Sequence, residues 1–132
     1  MPSSDRLICI DPRRVGATWL LARPFIKAAV DRAGLCDFAI VRQEILSGEQ
    51  LLWVAGQPPT GAGSTQLIAV DGRKVCVIVT WSGEGWPSAA LEQIEAYARA
   101  EGCSAIRLYG RPGWKRVLPD YGLKCVVLDR EL

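Results

Sequence analysis

WSGEGWPSAALEQIEAYARAEGCSAIRLYG, residues 81–110, leaves one strand through a glycine turn, enters a helix and emerges into a second strand. Ala90, Leu91, Ile94, Tyr97 and Ala98 share one helical face, while Glu92, Glu95 and Arg99 lie on another. Gly102 ends the helix, and SAIRLYG carries strand residues. Strand, helix and strand in this order predict a right-handed crossover between parallel neighbours. Gly83 and Gly85 allow a tight turn, and backbone N–H groups at a helix N-terminus suit a phosphate. Pro87 removes one of those donors. The turn is therefore either an anion cradle or a plain strand-to-helix connection with Pro87 as the first helical residue.

The flanking sequence supplies the rest of the sheet. RKVCVIVTW, 73–81, is apolar in both alternating registers (Val75, Val77 and Val79 against Cys76, Ile78 and Thr80), which predicts a central strand covered on both faces. QLIAV precedes it across Asp71-Gly72, a strong hairpin signal. EQLLWVAG reads as a strand and QPPTGAGST, 57–65, as a loop. Upstream, RLICI reads as a strand, followed by a helical turn, a helix starting near Pro24 and ending at Gly34, and a second helix capped by Asp37 and ending at Gly48. Downstream, a short helix from Pro112, broken near Pro119, leads to a final strand, LKCVVLDREL. This order predicts one α+β domain over 1–132, with a central mixed sheet and helices on both faces; the antiparallel hairpin excludes a doubly wound sheet.

Composition narrows the chemistry. Of 132 residues, 49% are hydrophobic and 23% charged, a globular balance, and the net charge of +2 does not by itself point to nucleic acid. There is no histidine, so Ser-His-Asp and Cys-His catalysis are excluded and acid–base work falls to carboxylates, Tyr, Lys, Cys or water. The five cysteines form no CxxC, and Cys9, Cys76 and Cys125, in apolar runs, are expected to be buried reduced thiols. No apolar run approaches the ~20 residues of a membrane span, and the first residues lack a signal-peptide core.

With these elements in place, the chain resembles the GNAT superfamily of N-acetyltransferases. SAALEQIEAYARAEGCSAIRLYG is similar to the helix and fifth strand behind that family's acetyl-CoA loop. QLLWVAG together with GCSAIRLYGRPGWKRVLPDYGLKCVVLDREL resembles the small GNAT-like proteins of tailed bacteriophages and prophages. The resemblance implies acetyl-CoA as cofactor, held by Gly83, Glu84, Gly85, Trp86 and Ser88 at the pyrophosphate and by the strand backbone at Val77 and Val79 along the pantetheine. It implies a virion or host-cytoplasm setting, with protein partners in an assembly or a homo-oligomer; the short apolar runs and the small net charge point to no membrane and against nucleic acid as a partner.

Position by position, the functional pattern departs. The loop pattern Arg/Gln-x-x-Gly-x-Gly/Ala falls on Ser82, Gly85 and Pro87, and only Gly85 matches. The family's acidic Tyr falls on Leu118 and its Asn on Arg111; Tyr121 is close in sequence but beyond Pro119. The central strand carries no carboxylate, which leaves Glu84 as candidate base and Tyr121 as candidate acid. Trp81, Trp86 and Trp114 are either core residues or anchors for a partner. Arg107, Arg111, Lys115 and Arg116 are a solvated basic face, a CoA phosphate contact or a nucleic-acid contact. Together these departures favour a non-catalytic binding or structural component of a virion assembly, with an active acetyl-CoA-dependent N-acetyltransferase acting on a small amine or a host protein as the alternative.

Overall fold

The computed structural model describes residues 7–83, 88–109 and 118–132, with the backbone alone at Ser88 and Ala89. Strand β1 (Leu7–Ile10) passes through a 3-10 turn (Pro12–Arg14) into helix α1 (Val15–Ala33), followed by α2 (Phe38–Ser47). Strands β2 (Leu51–Ala55), β3 (Gly61–Val70) and β4 (Arg73–Gly83) form a meander, and α3 (Ser88–Ala100) then leads to β5 (Ala105–Leu108). The sheet order is β1-β2-β3-β4-β5. The first four strands pair antiparallel and β5 joins β4 in parallel, as the crossover reading requires. Asp71 and Gly72 both take positive φ, 50° and 76°, which gives the β3–β4 turn the twist of its strands.

Period-two alternation divides the core between the faces. Leu52, Val54 and Ala62 pack with Val15, Trp19, Ala22, Ile26 and Val30 of α1 and Val41 and Ile45 of α2. Trp53, Cys76 and Ile78 turn the other way, onto Ala90, Leu91, Ile94 and Ala98 of α3. Trp53 also donates its indole N–H to Thr65 Oγ1 at 2.9 Å and meets the Tyr97 ring edge-on at 5.4 Å. The edge strand β1 is covered by Gln93 of α3: Leu7 N–H donates to Gln93 Oε1 at 2.9 Å, and Gln93 Nε2 donates to the Leu7 carbonyl at 3.0 Å. No helix among the described residues is long and apolar enough to cross a membrane.

Asp37 caps α2 as expected, accepting from Ala39 N–H at 2.8 Å. Asp37→Ala is predicted to cost about 1 kcal/mol, read as a lower denaturation midpoint, with Asp37→Asn retaining most of the stability.

Four expectations are corrected. The first helix does not start near Pro24: α1 runs unbroken through it. Pro24 is exposed, so the carbonyl that loses its partner on that face can be hydrated. Gly61–Thr65 is strand rather than loop, laddered to both β2 and β4. Residues 123–132 form no strand: they ladder to none of the described strands, and Leu123, Val126, Val127 and Leu128 are exposed, so this β-type sequence lacks the partner a strand requires. Of the cysteines expected to be buried, only Cys76 is; Cys9 and Cys125 are exposed. The short helix expected from Pro112 lies outside the described residues up to Val117.

Candidate functional site

Strand β4 changes character at Val79. The β3 partners run from Gly61↔Gly83 to Ser64↔Thr80 and resume at Thr65↔Ile78, which leaves Val79 as an extra residue on β4. Such a bulge bends its strand and re-aims the residues after it. The β4–β5 ladder stops one residue earlier, at Ile78↔Leu108. Val79–Gly83 therefore runs on with β3 on one side and no β5 partner on the other among the described residues. On that side the β4 backbone beyond Ile78 is not committed to β5. Val77, expected with Val79 to line the cofactor, is laddered to both Gln66 and Arg107.

The residues around Val79–Gly83 are tightly fixed. Trp81, one of the tryptophans with two possible roles, is half-buried against the α3 face and lies across the glycines of β3. A Cβ at Gly63 would overlap the Thr80 carbonyl and come within 2.6 Å of Trp81 Cε3; one at Gly61 would meet Trp81 Cζ2 at 3.5 Å. Gly83 takes φ 141°, where a side chain is strained, and a Cβ there would run into the backbone of Thr60 and Gly61. On the opposite face the buried hydroxyls of Ser64 and Thr80 share a hydrogen bond of 2.6 Å. The next residue on that face, Ser82, is also buried and accepts from Arg32 Nη2 at 3.4 Å. Arg32 was missed in the sequence, where it is one basic residue at the end of a helix with no local signal linking it to Ser82.

Tyr121 is not brought to these residues. Its hydroxyl donates to Glu95 Oε2 at 2.8 Å, and it lines a cleft of about 350 Å³ with Glu95, Arg99, Ser104 and Asp120. That cleft sits where β5 begins, beside Ala105, which pairs with Val75; Val79–Gly83 is at the far end of β4. Leu118 is buried among the α3-side core residues, a packing role. Glu84, Gly85, Trp86, Pro87, Arg111, Trp114, Lys115 and Arg116 lie outside the described residues, as does the side chain of Ser88.

Burial raises three protonated groups on the α3 side. Desolvation pushes the Cys76 thiol from 9.0 up to about 11 and the Tyr97 phenol from 10.0 up to about 12. Tyr121 is raised further by desolvation and by its hydrogen bond to Glu95. Each holds its proton more tightly folded than unfolded, so their contribution is fully present below about pH 9 and is lost as pH rises through the folded values. The thermal midpoint is predicted to show no loss from these groups up to about pH 9 and to fall from there towards pH 12. Cys76→Val should reduce the drop between pH 9 and 11, measured as the midpoint relative to each protein's own value at pH 8.

No protein-family model and no curated protein sequence matches the chain. Solved structures do match. The aminoglycoside acetyltransferase meta-AAC0020 from an uncultured soil metagenomic sample, solved with sisomicin, superposes with a TM-score of 0.69 at 9% identity, over 99% of this chain and 98% of its own. The aminoglycoside acetyltransferase HMB0005, also from a soil metagenome, gives 0.63 at 16% identity over 96% of each chain. A GNAT family acetyltransferase of Staphylococcus aureus gives 0.61 at 11% identity, over 98% of this chain and 99% of its own. The chain therefore has the α+β fold of the GNAT acetyltransferases.

Proposed function

We propose that this protein binds acetyl-CoA along β4 beyond Ile78 and transfers the acetyl group to an amine, acting by positioning more than by side-chain acid–base catalysis. The observation that carries this reading is the bulge at Val79 together with the end of the β4–β5 ladder just before it, at Ile78. These residues fit the cofactor. An extended chain with amide groups can add along a strand, Gly83 offers backbone without a side chain, and Ser82 is approached by a guanidinium. Bound acetyl-CoA would supply the activated thioester. The protein's own part is to fix the donor against β4 and present the amine at the same end of the sheet, an effect able to supply several kcal/mol of barrier reduction. No carboxylate lies on β4, so water is the natural acceptor of the amine proton.

The test is calorimetric titration with acetyl-CoA, followed by thiol release with a panel of amines. The sisomicin complex of meta-AAC0020 makes an aminoglycoside a natural first acceptor to offer, beside polyamines and lysine peptides. Micromolar binding with turnover is expected; an absence of acetyl-CoA binding up to millimolar concentration would end the proposal. The second reading, a non-catalytic binding component of a virion assembly, is favoured by the commitment of the Tyr121 hydroxyl to Glu95, away from Val79–Gly83. Cofactor binding without thiol release from any amine would favour it.

A further inference from the structure

We infer that Arg32, reaching from the last turn of α1 to Ser82 near the C-terminal end of β4, is the cationic group that holds the diphosphate of the acyl donor. The inference rests on the acetyl-CoA reading above. Topology makes the contact possible: α1 follows β1 and returns along the sheet, so its C-terminus arrives where β4 finishes. Arg32 and Ser82 are 50 residues apart in sequence, yet Nη2 lies 3.4 Å from Ser82 Oγ. Ser82 is itself buried, at 6% exposure, so the hydroxyl is a fixed point and the exposed guanidinium comes to it.

The guanidinium has capacity to spare. It offers five N–H donors, and the bond to Ser82 is long. No carboxylate among the described residues is within ion-pair distance of Arg32. The neighbouring Asp31 is turned to Lys27, which reaches both its oxygens at 2.7 Å. A planar, weakly hydrated fork without a carboxylate partner, beside the strand end that feeds a helix of 13 residues, is well suited to two phosphate oxygens. Ser82 is also the position at which the sequence pattern calls for a cationic or amide arm and finds a hydroxyl. In this fold the charge arrives at the same place through space, from another element.

Arg32 also lies at the negative end of the α1 dipole, a role that would affect stability alone. The two roles separate by probe. The wild type, Arg32→Ala and Arg32→Lys are titrated with acetyl-CoA at low and at high salt, and with S-acetyl-pantetheine, which keeps the thioester arm and lacks the diphosphate. Arg32→Ala is expected to weaken acetyl-CoA about tenfold at low salt, with the difference shrinking at high salt, acetyl-pantetheine unchanged and partial rescue by Lys. Equal acetyl-CoA affinity in wild type and Arg32→Ala overturns the inference and leaves the acetyl-CoA reading standing. Equal weakening of both probes overturns it as well, by assigning Arg32 a structural role. A wild type that binds neither probe removes the acetyl-CoA reading and this inference with it.

Discussion

Gly63→Ala is expected to destabilise the protein by about 3 kcal/mol and lower the thermal midpoint by roughly 10 °C. The added methyl would need space already taken by the Thr80 carbonyl and the Trp81 indole. Neither neighbour can give way cheaply. The Thr80 backbone is in the β3–β4 ladder, with its hydroxyl bonded to Ser64, and the Trp81 ring packs against the α3-side core. Relief would require β3 and β4 to separate or Trp81 to leave its place, and either change reaches Val79–Gly83. Gly16→Ala is the matched control. It lies in the first turn of α1, nothing approaches its would-be Cβ within 4 Å, and the substitution should stabilise by about 0.5–1 kcal/mol. A Gly63→Ala midpoint within about 2 °C of the parent would show that the indole is not held over β3 as described.

Local physics decides the features that could be read in the sequence. Asp71-Gly72 needs two positive φ angles and has the residues for them, so the hairpin was legible. So were the Asp37 cap, the apolar face of α3, and β4 as a strand covered on both sides. Features set by partners distant in sequence were not. GAGST has the composition of a loop, yet it forms a strand because it ladders to both β2 and β4, and its glycines leave room for Trp81 across Gly61 and Gly63. Pro24 reads as a helix start, and only its exposure explains why α1 passes through it. Val79 is one valine in an apolar run; its bulge follows from the β3 register and leaves no mark on composition. The same holds for the site. The missing arm at Ser82 was visible in the sequence, whereas the Arg32 that reaches it lies on the other side of α2, β2 and β3 in the chain.

Deleting Val79 should reduce acetyl-CoA affinity at least about tenfold while leaving the fold intact. The expectation follows from the register. Thr65 pairs with Ile78 and Ser64 with Thr80, so Val79 is the surplus residue between two matched pairs. Its removal lets the β3–β4 ladder run without interruption and reverses no side chain: Ile78 and Trp81 still face α3, and Thr80 and Ser82 still face α1. Stability should change by less than about 1 kcal/mol, because no buried pairing is lost and the bulge strain goes with the residue. A bulge bends its strand and re-aims the residues after it, so its loss re-aims the residues that remain of Val79–Gly83, along which the donor is proposed to lie. A deletion variant that folds with a near-parental midpoint and fails to bind acetyl-CoA would assign the bulge to function. One that binds as tightly as the parent would show that donor binding does not depend on it.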